Sequence, residues 1–424
     1  MNFSMGTKLG KKSVSPIFKQ ILDLVPFSVL RRSINKHKSD KSCSKYFTYD
    51  QLVSMMFGQL NKCLSLREID MGIDQSPEFL SDIGLEQSPA KSTMSDGNAK
   101  RDYRVFEDLY YSLCKHYRHQ LRMRPEYKVI EEIEGMHIKI IDATIMSVCL
   151  KLFPWAKYRT AKGGIKAHVS LDEVSMIPDI VNISEAKVSD RRGVDDFRYV
   201  KDTIIVDDRG YFDTKLFKIR MEDENHFVTR IKGNILYESI REYDLPDDKD
   251  EHILKDEIIR LTGKAAVDNG INDVEFRRVV VYIEEDNRTV ELICNNLEWS
   301  AATIAELYKR RWLIETFFKL IKQNLQIKTF LGTTPNACKS QIFIALISYL
   351  LLELIRRTMC KTKHRFGHFV TLIRVCLTQY NRLGYIVNEI KIGVRVARKQ
   401  KNPAPNLFNF QHTEKDFEQL LIEF

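Results

Sequence analysis

Apolar residues recur at helical spacing along the front of the chain, most clearly in PIFKQILDLVPFSVLRRSI and YDQLVSMMFGQL. Spacings of three and four residues place such side chains on one face of a helix, and the alternation typical of strands is missing there. Ser, Pro, Gly and Asp are then frequent in residues 76–98, ahead of a predicted helix in RDYRVFEDLYYSLCKHYRHQL. This punctuation indicates either a helix-turn-helix or a linker, and the pattern leaves both open.

From Ile138 onward the pattern becomes that of β-strands. Short segments rich in Ile and Val, bounded by turn residues, predict three strands in an antiparallel meander: IKIIDAT with SVCLKL, then GIKAHVSLD, then IPDIVNIS. A predicted helical piece, DDFRYVK, leads into the apolar strand TIIV, and FDTKLFKIRM is predicted as a helix. Strands and helices therefore alternate, which favours a mixed α/β core.

The stretch from His226 to Glu298 is again mostly β, with strands predicted in HFVTRIK, DEIIRLT, FRRVVVYIE and TVELICNN. These strands predict an inserted β-rich subdomain. After Trp299 the chain becomes helical, with Ser300 as the predicted N-cap. The most apolar stretch, IFIALISYLLL, covers 11 residues. A membrane span needs about 20, so we expect a buried helix and no membrane partner.

Composition adds a positive charge to this picture. The chain has 424 residues, of which 44% are hydrophobic, and 66 Lys and Arg against 57 Asp and Glu give a net charge of +9. A positive balance favours polyanionic partners. The excess is concentrated in residues 8–45 and 356–401. The first run is either a solvated face or a nucleic-acid contact, and the second predicts a polyanion-binding surface.

Cysteine usage and the first residues bear on the compartment. Eight cysteines are scattered without a C-x-x-C pair, which predicts reduced thiols in the cytoplasm. No apolar run follows the first lysines, so we expect no signal peptide.

One predicted helix has a polar stripe with a carboxylate at its centre. The stripe consists of Tyr308, Arg311, Glu315, Lys319 and Lys322, separated by three, four, four and three residues. Such spacing places all five side chains on one face. A solvated ladder of ion pairs, worth a few tenths of a kcal/mol each, explains the stripe, and so does a carboxylate within a phosphate-binding row.

Two acids on predicted strands favour the second explanation. Asp142 interrupts an apolar strand, and the pair Asp207-Asp208 ends another. Each acid alone is typical of a cap or turn, but a carboxylate in apolar surroundings needs a partner. Together with Glu315 they predict a hard-oxygen site suited to Mg²⁺ or Mn²⁺. Two such ions about 3.5–4 Å apart can promote in-line phosphoryl displacement.

These residues carry a resemblance. The segment YKRRWLIETFFKLIK fits the Y-(2)-R-(3)-E-(6)-K signature through Tyr308, Arg311, Glu315 and Lys322, and so resembles bacterial insertion-sequence family 4 DDE transposases. The four residues match without a shift in spacing.

Three further segments extend the resemblance. VDDRGYFD resembles the family's second-aspartate motif, in which the acid directly precedes Arg-Gly-Tyr, and this selects Asp208 over Asp207. IIDAT resembles the first-aspartate strand, which gives Asp142. The front helices resemble those of one branch of the family, so the resemblance covers most of residues 16–355.

The resemblance implies an α/β protein whose ribonuclease-H-like catalytic domain contains a β-rich insertion and follows a helical N-terminal DNA-binding region. The expected boundaries are 1–125 for the N-terminal region, 126–225 and 300–355 for the two parts of the catalytic domain, 226–299 for the insertion, and 356–424 for a basic helical C-terminal region.

The resemblance also implies a metal-dependent activity on DNA. Asp142, Asp208 and Glu315 are expected to bind two Mg²⁺ ions, for which Mn²⁺ can substitute, and to catalyse cleavage of the element's ends and strand transfer into target DNA. A hairpin at each end is the expected intermediate. The expected partners are the terminal inverted repeats and the target DNA, bound by a homodimer in the bacterial cytoplasm.

Several side chains are expected to contact DNA. Tyr308, Arg311 and Lys322 would hold phosphates, with Lys319 on the same face and Arg209 next to the second acid. End recognition is assigned to the N-terminal helices, whose candidate residues are Lys91, Ser92, Thr93, Lys100 and Arg101.

Other residues and functions stay open at this point. His168, which alternates with Lys166, is either a satisfied strand histidine or a neighbour of the site. Trp299 and Trp312 either pack in a core or stack on an extruded base. A catalytically silent DNA-binding protein or repressor of the same fold, and a structure-specific nuclease without strand transfer, are the alternative functions.

Overall fold

The computed structural model describes residues 14–122, 128–159, 162–245, 252–283, 287–360 and 365–389. Its front part is helical, as the apolar spacing predicts. The helices are α1 (Ile17–Leu22), α2 (Phe27–His37), α3 (Thr48–Asn61), α4 (Leu66–Ile73), α5 (Pro77–Asp82), α6 (Lys91–Lys100) and α7 (Arg104–His116). Residues 76–98 contain α5 and most of α6 instead of a plain linker, because Ser76 caps α5 and Phe79 and Met94 are buried.

A single sheet occupies the middle of the described chain. Its strands are β1 (His137–Val148), β2 (Lys157–Arg159), β3 (Lys162–Asp172), β4 (Pro178–Glu185), β5 (Thr203–Val206), β6 (His226–Arg230), β7 (Tyr237–Glu242), β8 (Ile253–Leu261), β9 (Glu275–Ile283) and β10 (Arg288–Cys294). Three helices lie between them: α8 (Asp190–Gly193), α9 (Thr214–Glu222) and α10 (Lys264–Asp268).

Most of the predicted strands are confirmed, and one predicted helix is wrong. TIIV forms β5, and the meander forms as β1, β3 and β4, which pair antiparallel. DDFRYVK is not helical, because α8 ends at Gly193 and the chain then turns. The Phe197 N–H bonds the Val194 carbonyl only three residues back, and this turn buries both side chains.

The strand order is β2-β3-β1-β5-β6-β10-β9-β8-β7, with β4 added on β3. β5 runs parallel to both β1 and β6, whereas β10 joins the far side of β6 antiparallel. β6, which begins at residue 226, therefore pairs with the parallel part of the sheet. The four strands β10, β9, β8 and β7 continue that same sheet.

Helices follow the last strand, as predicted. They are α11 (Ala301–Arg310), α12 (Trp312–Asn324), α13 (Pro335–Thr358), α14 (Phe366–Cys376) and α15 (Leu383–Glu389). Ser300 caps α11, since its hydroxyl accepts the Thr303 N–H at 3.2 Å. The helix predicted as continuous from Ser300 is divided at Arg311, whose N–H bonds the Tyr308 carbonyl in a tighter turn.

The largest core joins the two ends of the chain to the sheet. Residues of α1–α7 share it with β1, β3, β4 and α12–α15, around the buried helix α13. By length and composition α13 could cross a membrane, but 94% of its apolar window is buried inside the protein. The expectation of a buried helix is confirmed. The N-terminal helices therefore share one core with elements from the middle and the end of the described chain.

Candidate active site

Two aspartates lie side by side just beyond the point where the parallel pairing of β1 and β5 ends. Ile140 of β1 pairs with Val206 of β5, so Asp142 and Asp208 each follow the paired position by two residues. Asp142 accepts the N–H of Ala143 at 2.7 Å. This register brings together two acids that are far apart in sequence, at the place where the pairing of β1 and β5 ends.

Glu315 approaches the two aspartates from the first turn of α12. Arg311 joins it to the strands, because one guanidinium nitrogen lies 2.6 Å from Glu315 Oε1 and the other 3.9 Å from Asp142 Oδ2. Tyr308 donates its hydroxyl to Asp208 Oδ1 at 3.3 Å. The three predicted acids and two residues of the predicted stripe thus form one connected group.

Burial and the neighbouring carboxylates make negative charge costly at this group. Burial, opposed by the charge of Arg311 and supported by the charges of Glu315 and Asp208, raises the pKa of Asp142 to about 7. Burial also raises the pKa of Tyr308 to about 12, so its phenol is a neutral donor at physiological pH. Carboxylates held this close favour a cation among them.

Arg311 supplies that cation in this structure. Burial lowers its pKa, but the attraction of Glu315, Tyr308, Asp208 and Asp142 outweighs burial and raises the pKa above the ordinary value. Its side chain is only 15% exposed. The guanidinium therefore stays charged between the carboxylates.

These residues fit a divalent metal ion in their donor type but are not gathered around one position in this structure. Three carboxylates are hard-oxygen donors of the kind that Mg²⁺ and Mn²⁺ prefer. Within the described part of the chain, however, no three His, Cys, Asp or Glu side chains are gathered closely enough to hold an ion. The donors fit in kind, while Arg311 lies between two of them.

The structure also separates Asp207 from Asp208. Asp207 is fully buried and forms an ion pair with Arg220 of α9. Asp208 is half-buried and contacts Tyr308. The Thr229 hydroxyl lies 3.4 and 3.3 Å from the backbone carbonyls of the two aspartates, and holds the turn that presents Asp208. Of the two aspartates, Asp208 is the one whose carboxylate contacts the stripe residue Tyr308.

The remaining cations of the predicted site have different surroundings. Lys322 donates to the Ile145 carbonyl at 3.0 Å, and burial, with the nearby charge of Lys328, lowers its pKa to about 8. Lys319 and Arg209 are exposed.

Arg101, predicted to contact DNA, is instead an interior residue. Its guanidinium donates to Gln51 Oε1 at 2.5 Å and to the Tyr46 carbonyl, and the residue is 7% exposed. These partners leave it unable to reach a DNA backbone. Lys91 and Ser92 are exposed at the start of α6, Thr93 is half-buried, and Lys100 pairs with Asp96.

Part of the predicted basic C-terminal surface is also internal. Arg356 and Arg357 both pair with the buried Glu353. Other members of the two basic runs lie outside the described residues: Lys8, Lys11, Lys12, Lys361, Lys363, Lys391, Arg395, Arg398, Lys399 and Lys401.

His168 and Trp299 have structural surroundings. His168 is buried with Nε2 3.0 Å from the Ser184 hydroxyl, and its strand neighbour Lys166 pairs with Asp190 at 3.0 Å. Trp299 is 5% exposed and packs edge-on against His226. Stacking of a base on Trp299 is therefore excluded by burial. Trp312, at 39% exposed, keeps that prediction open.

Tyr211 lies near Asp142 and Asp208, although it was not among the predicted site residues. It ends the Arg-Gly-Tyr turn after Asp208, and its buried hydroxyl has no hydrogen-bond partner among the described residues. Burial raises its pKa, as do Asp142 and other nearby carboxylates. Its place in the second-aspartate motif was the available signal. The phenol can donate to a group that enters the site.

Comparisons with known proteins find two matching families and several relatives. The family described as "Transposase DDE domain" matches residues 134–351, and a domain of unknown function, DUF4372, matches residues 13–86. The chain is 31% identical over 272 residues to "Putative transposase y4zB" of Sinorhizobium fredii, covering 64% of this chain and 72% of that protein.

Another relative is covered less completely. The chain is 28% identical over 238 residues to the "Probable transposase for insertion sequence element IS5377" of Geobacillus stearothermophilus, covering 56% of this chain and 61% of that protein, which is less than two thirds. A solved piggyBac transposase synaptic complex with hairpin DNA aligns with a TM-score of 0.39 and 10% identity, over 88% of this chain and 82% of that one.

Proposed function

The chain belongs to the DDE transposase family, and from this premise we propose that it cuts DNA at the ends of its own insertion-sequence element and joins them to target DNA. The observation that supports this most is the convergence of Asp142, Asp208 and Glu315 at one edge of the sheet. Enzymes of this family act with divalent metal ions.

We propose a ribonuclease-H-like fold for the catalytic part. The order β4-β3-β1-β5-β6, with three antiparallel strands followed by two parallel ones, supports this assignment. The spacing of Tyr308, Arg311, Glu315 and Lys322 supports membership in insertion-sequence family 4 within the wider family.

Asp142, Asp208 and Glu315 would hold two Mg²⁺ ions, with Mn²⁺ as a substitute. When bound, such ions polarise the attacking oxygen and stabilise the leaving oxygen of an in-line displacement. In this scheme Arg311 can exchange its carboxylate partners for a DNA phosphate. A guanidinium that neutralises carboxylates in the free protein can pair with a DNA phosphate once other cations neutralise them.

The neighbouring side chains would position the DNA. Tyr308 and Tyr211 offer neutral phenol donors close to the acids, and Lys322 offers an amine on the same helix as Glu315. Lys319 and Arg209 add exposed positive charge. Phosphoryl transfer depends mainly on positioning and charge neutralisation, which these groups can supply.

We propose that the reactions follow one another at this single site. Water cuts one strand at the element's end and releases a 3′-hydroxyl, which attacks the opposite strand to form a hairpin. Hydrolysis opens the hairpin, and the freed 3′-hydroxyl then attacks the target DNA. Because two ends must be handled together, we propose a homodimer in the DNA complex and action in the bacterial cytoplasm.

The experiment is cleavage of DNA that carries the inverted repeats flanking this reading frame, with and without Mg²⁺, analysed on a denaturing gel. We expect a magnesium-dependent nick or hairpin at the repeat boundary, followed by a joined product. Tight repeat binding without cleavage in Mg²⁺ or Mn²⁺ would indicate a silent DNA-binding protein or repressor. Cleavage that never gives a joined product would indicate a structure-specific nuclease.

A further inference from the structure

Four cations gather at the C-terminal end of α12, the helix that carries Glu315. We name them the α12-end cluster: Lys62, Lys322, Lys328 and Arg374. They come from the end of α3, from α12, from the segment after it and from α14. Only Lys322 belongs to the sequence signature. Side chains from four parts of the chain thus concentrate positive charge at one place.

Backbone carbonyls hold this cluster in position. Lys62 Nζ donates to the Gln323 carbonyl. Arg374 donates from Nη2 to the Asn324 carbonyl at 2.9 Å and from Nε to the Leu60 carbonyl at 2.8 Å. The last carbonyls of a helix lack helical partners and carry partial negative charge, which explains why cations are attracted to this end.

The segment that carries Lys328 is also fixed. The buried side chain of Gln59 both donates to and accepts from the backbone of Gln326. Gln341 donates to the carbonyls of Gln326 and Thr329. Lys328 is exposed between these anchors. The cluster is therefore pre-organised.

Helix carbonyls alone do not neutralise four charges. None of the four cations forms an ion pair with a carboxylate of the described chain, unlike Lys100 and Lys166 elsewhere. Burial lowers the pKa of Lys62, and the charges of Arg374 and Lys328 lower it further. Mutual repulsion of this kind is relieved by an anionic ligand.

The spacing from the acids points to the kind of anion. Glu315 and Asn324 are separated by about 14 Å along α12, at 1.5 Å per residue. For a duplex whose axis runs along α12, this distance corresponds to roughly four nucleotides of one strand, at about 3.4 Å of axial rise each. Lys322 lies between the two positions and contacts β1 near Asp142. A duplex that lies along α12 can therefore reach from the acids to the cluster.

We propose that the α12-end cluster binds the DNA phosphate backbone about four nucleotides from the bond that is cut. The proposal rests on the proposed function in taking DNA as the substrate. It adds Lys62, Lys328 and Arg374 to the interface, on a surface formed where the N-terminal helices and α14 contact α12.

The test measures the salt dependence of binding to a duplex oligonucleotide of arbitrary sequence, because phosphate contacts do not depend on sequence. The variant is Lys62→Gln with Lys328→Gln, which spares Lys322 in the candidate site and Arg374 between helices. Each lost phosphate contact lowers the slope of log K against log salt by about 0.9, so we expect a decrease of about 2.

The matched control is Lys215→Gln with Lys264→Gln, which removes two exposed charges from α9 and α10. We expect the control to keep the wild-type slope. A cluster variant with an unchanged slope, or a control with an equal decrease, would overturn the proposal. If the double variant does not fold, Lys328→Gln alone should lower the slope by about 0.9, and no decrease would count against the proposal.

Repeat cleavage by the wild-type chain separates this proposal from the proposed function. Cleavage at the repeats together with an unchanged slope in the cluster variant rejects only the cluster. A decreased slope together with absence of cleavage supports the cluster and rejects the transposition chemistry.

Discussion

Neighbouring residues in this chain have opposite roles when the fold gives them opposite surroundings. Asp207 points into the protein and pairs with Arg220, whereas Asp208, the next residue, contacts Tyr308 at the candidate site. Composition cannot distinguish two adjacent aspartates. The second-aspartate motif favours Asp208, because Arg-Gly-Tyr follows it directly. The burial of Asp207 beside Arg220 is the physical reason why the two aspartates differ.

Loss of the buried ion pair should be costly. Arg220→Met leaves the Asp207 carboxylate buried without its partner, and we expect the free energy of unfolding to decrease by about 3–5 kcal/mol in urea titrations. Lys218→Met on the same helix removes only an exposed charge, so its effect should stay within about 1 kcal/mol. Equal effects of the two substitutions would show that the ion pair has no special role.

His168 makes stability depend on pH. Burial lowers its pKa from 6.5 to about 4, with a smaller contribution from Lys166 and an opposing one from Asp190. Between these values the unfolded chain takes up a proton that the folded protein does not, so stability is full above 6.5 and decreases as pH falls. At about pH 5 the loss should reach roughly 1–2 kcal/mol relative to neutral pH.

The variant His168→Gln isolates this contribution. It keeps a polar group near Ser184 but does not titrate, so its free energy of unfolding should decrease less between neutral and acidic pH than that of the wild type. Parallel pH profiles for the two proteins would rule out His168 as the source.

At the scale of elements, the sequence pattern predicted strands and caps that depend on residues close together in the chain. TIIV formed a strand and Ser300 a cap because apolar runs and capping hydroxyls act within a few residues. The strand β7 was missed, since all six of its residues are exposed and only its pairing with β8 defines it. Arg101 was misplaced for a similar reason, because its buried partners lie about fifty residues away.

The short helix α8 is held by close contact with β3. A Cβ on Gly193 would lie 2.1 Å from the His168 ring, so Gly193→Ala should cost about 1–3 kcal/mol of unfolding free energy. Gly233→Ala, at a position with no neighbour within 4 Å, should change it by less than about 0.5 kcal/mol. Thermal or urea unfolding of both variants tests this contact, and a neutral Gly193→Ala would contradict it.

At the scale of the whole molecule, the helices before the sheet and the helices after it form one core. Tyr103 and Tyr110 of the front pack against Phe343 of α13. Sequence order suggested successive domains, because a periodic pattern cannot show which distant elements pack together. Motif spacing predicts the three acids as a group, but the position of Arg311 between two of them required the fold.

Removal of residues 1–120 should therefore destroy the fold of the remainder. The deletion exposes apolar surface of α13, and we expect aggregation or loss of cooperative unfolding in calorimetry, compared with the full chain. A truncated chain that stays monomeric and unfolds cooperatively would contradict the shared core. DNA-end recognition by the front helices is better tested by exposed single substitutions such as Lys91→Gln.

The most direct measurement is the rate of strand cleavage at the inverted repeats by Asp142→Asn, Asp208→Asn and Glu315→Gln, each compared with Glu306→Gln on α11 as a matched control. We predict losses of at least about 1,000-fold for the three site variants, or about 4 kcal/mol, with repeat binding retained and the control close to wild type. Near-normal cleavage by any one of the three, or an equally slow Glu306→Gln, would contradict a single catalytic centre formed by these acids.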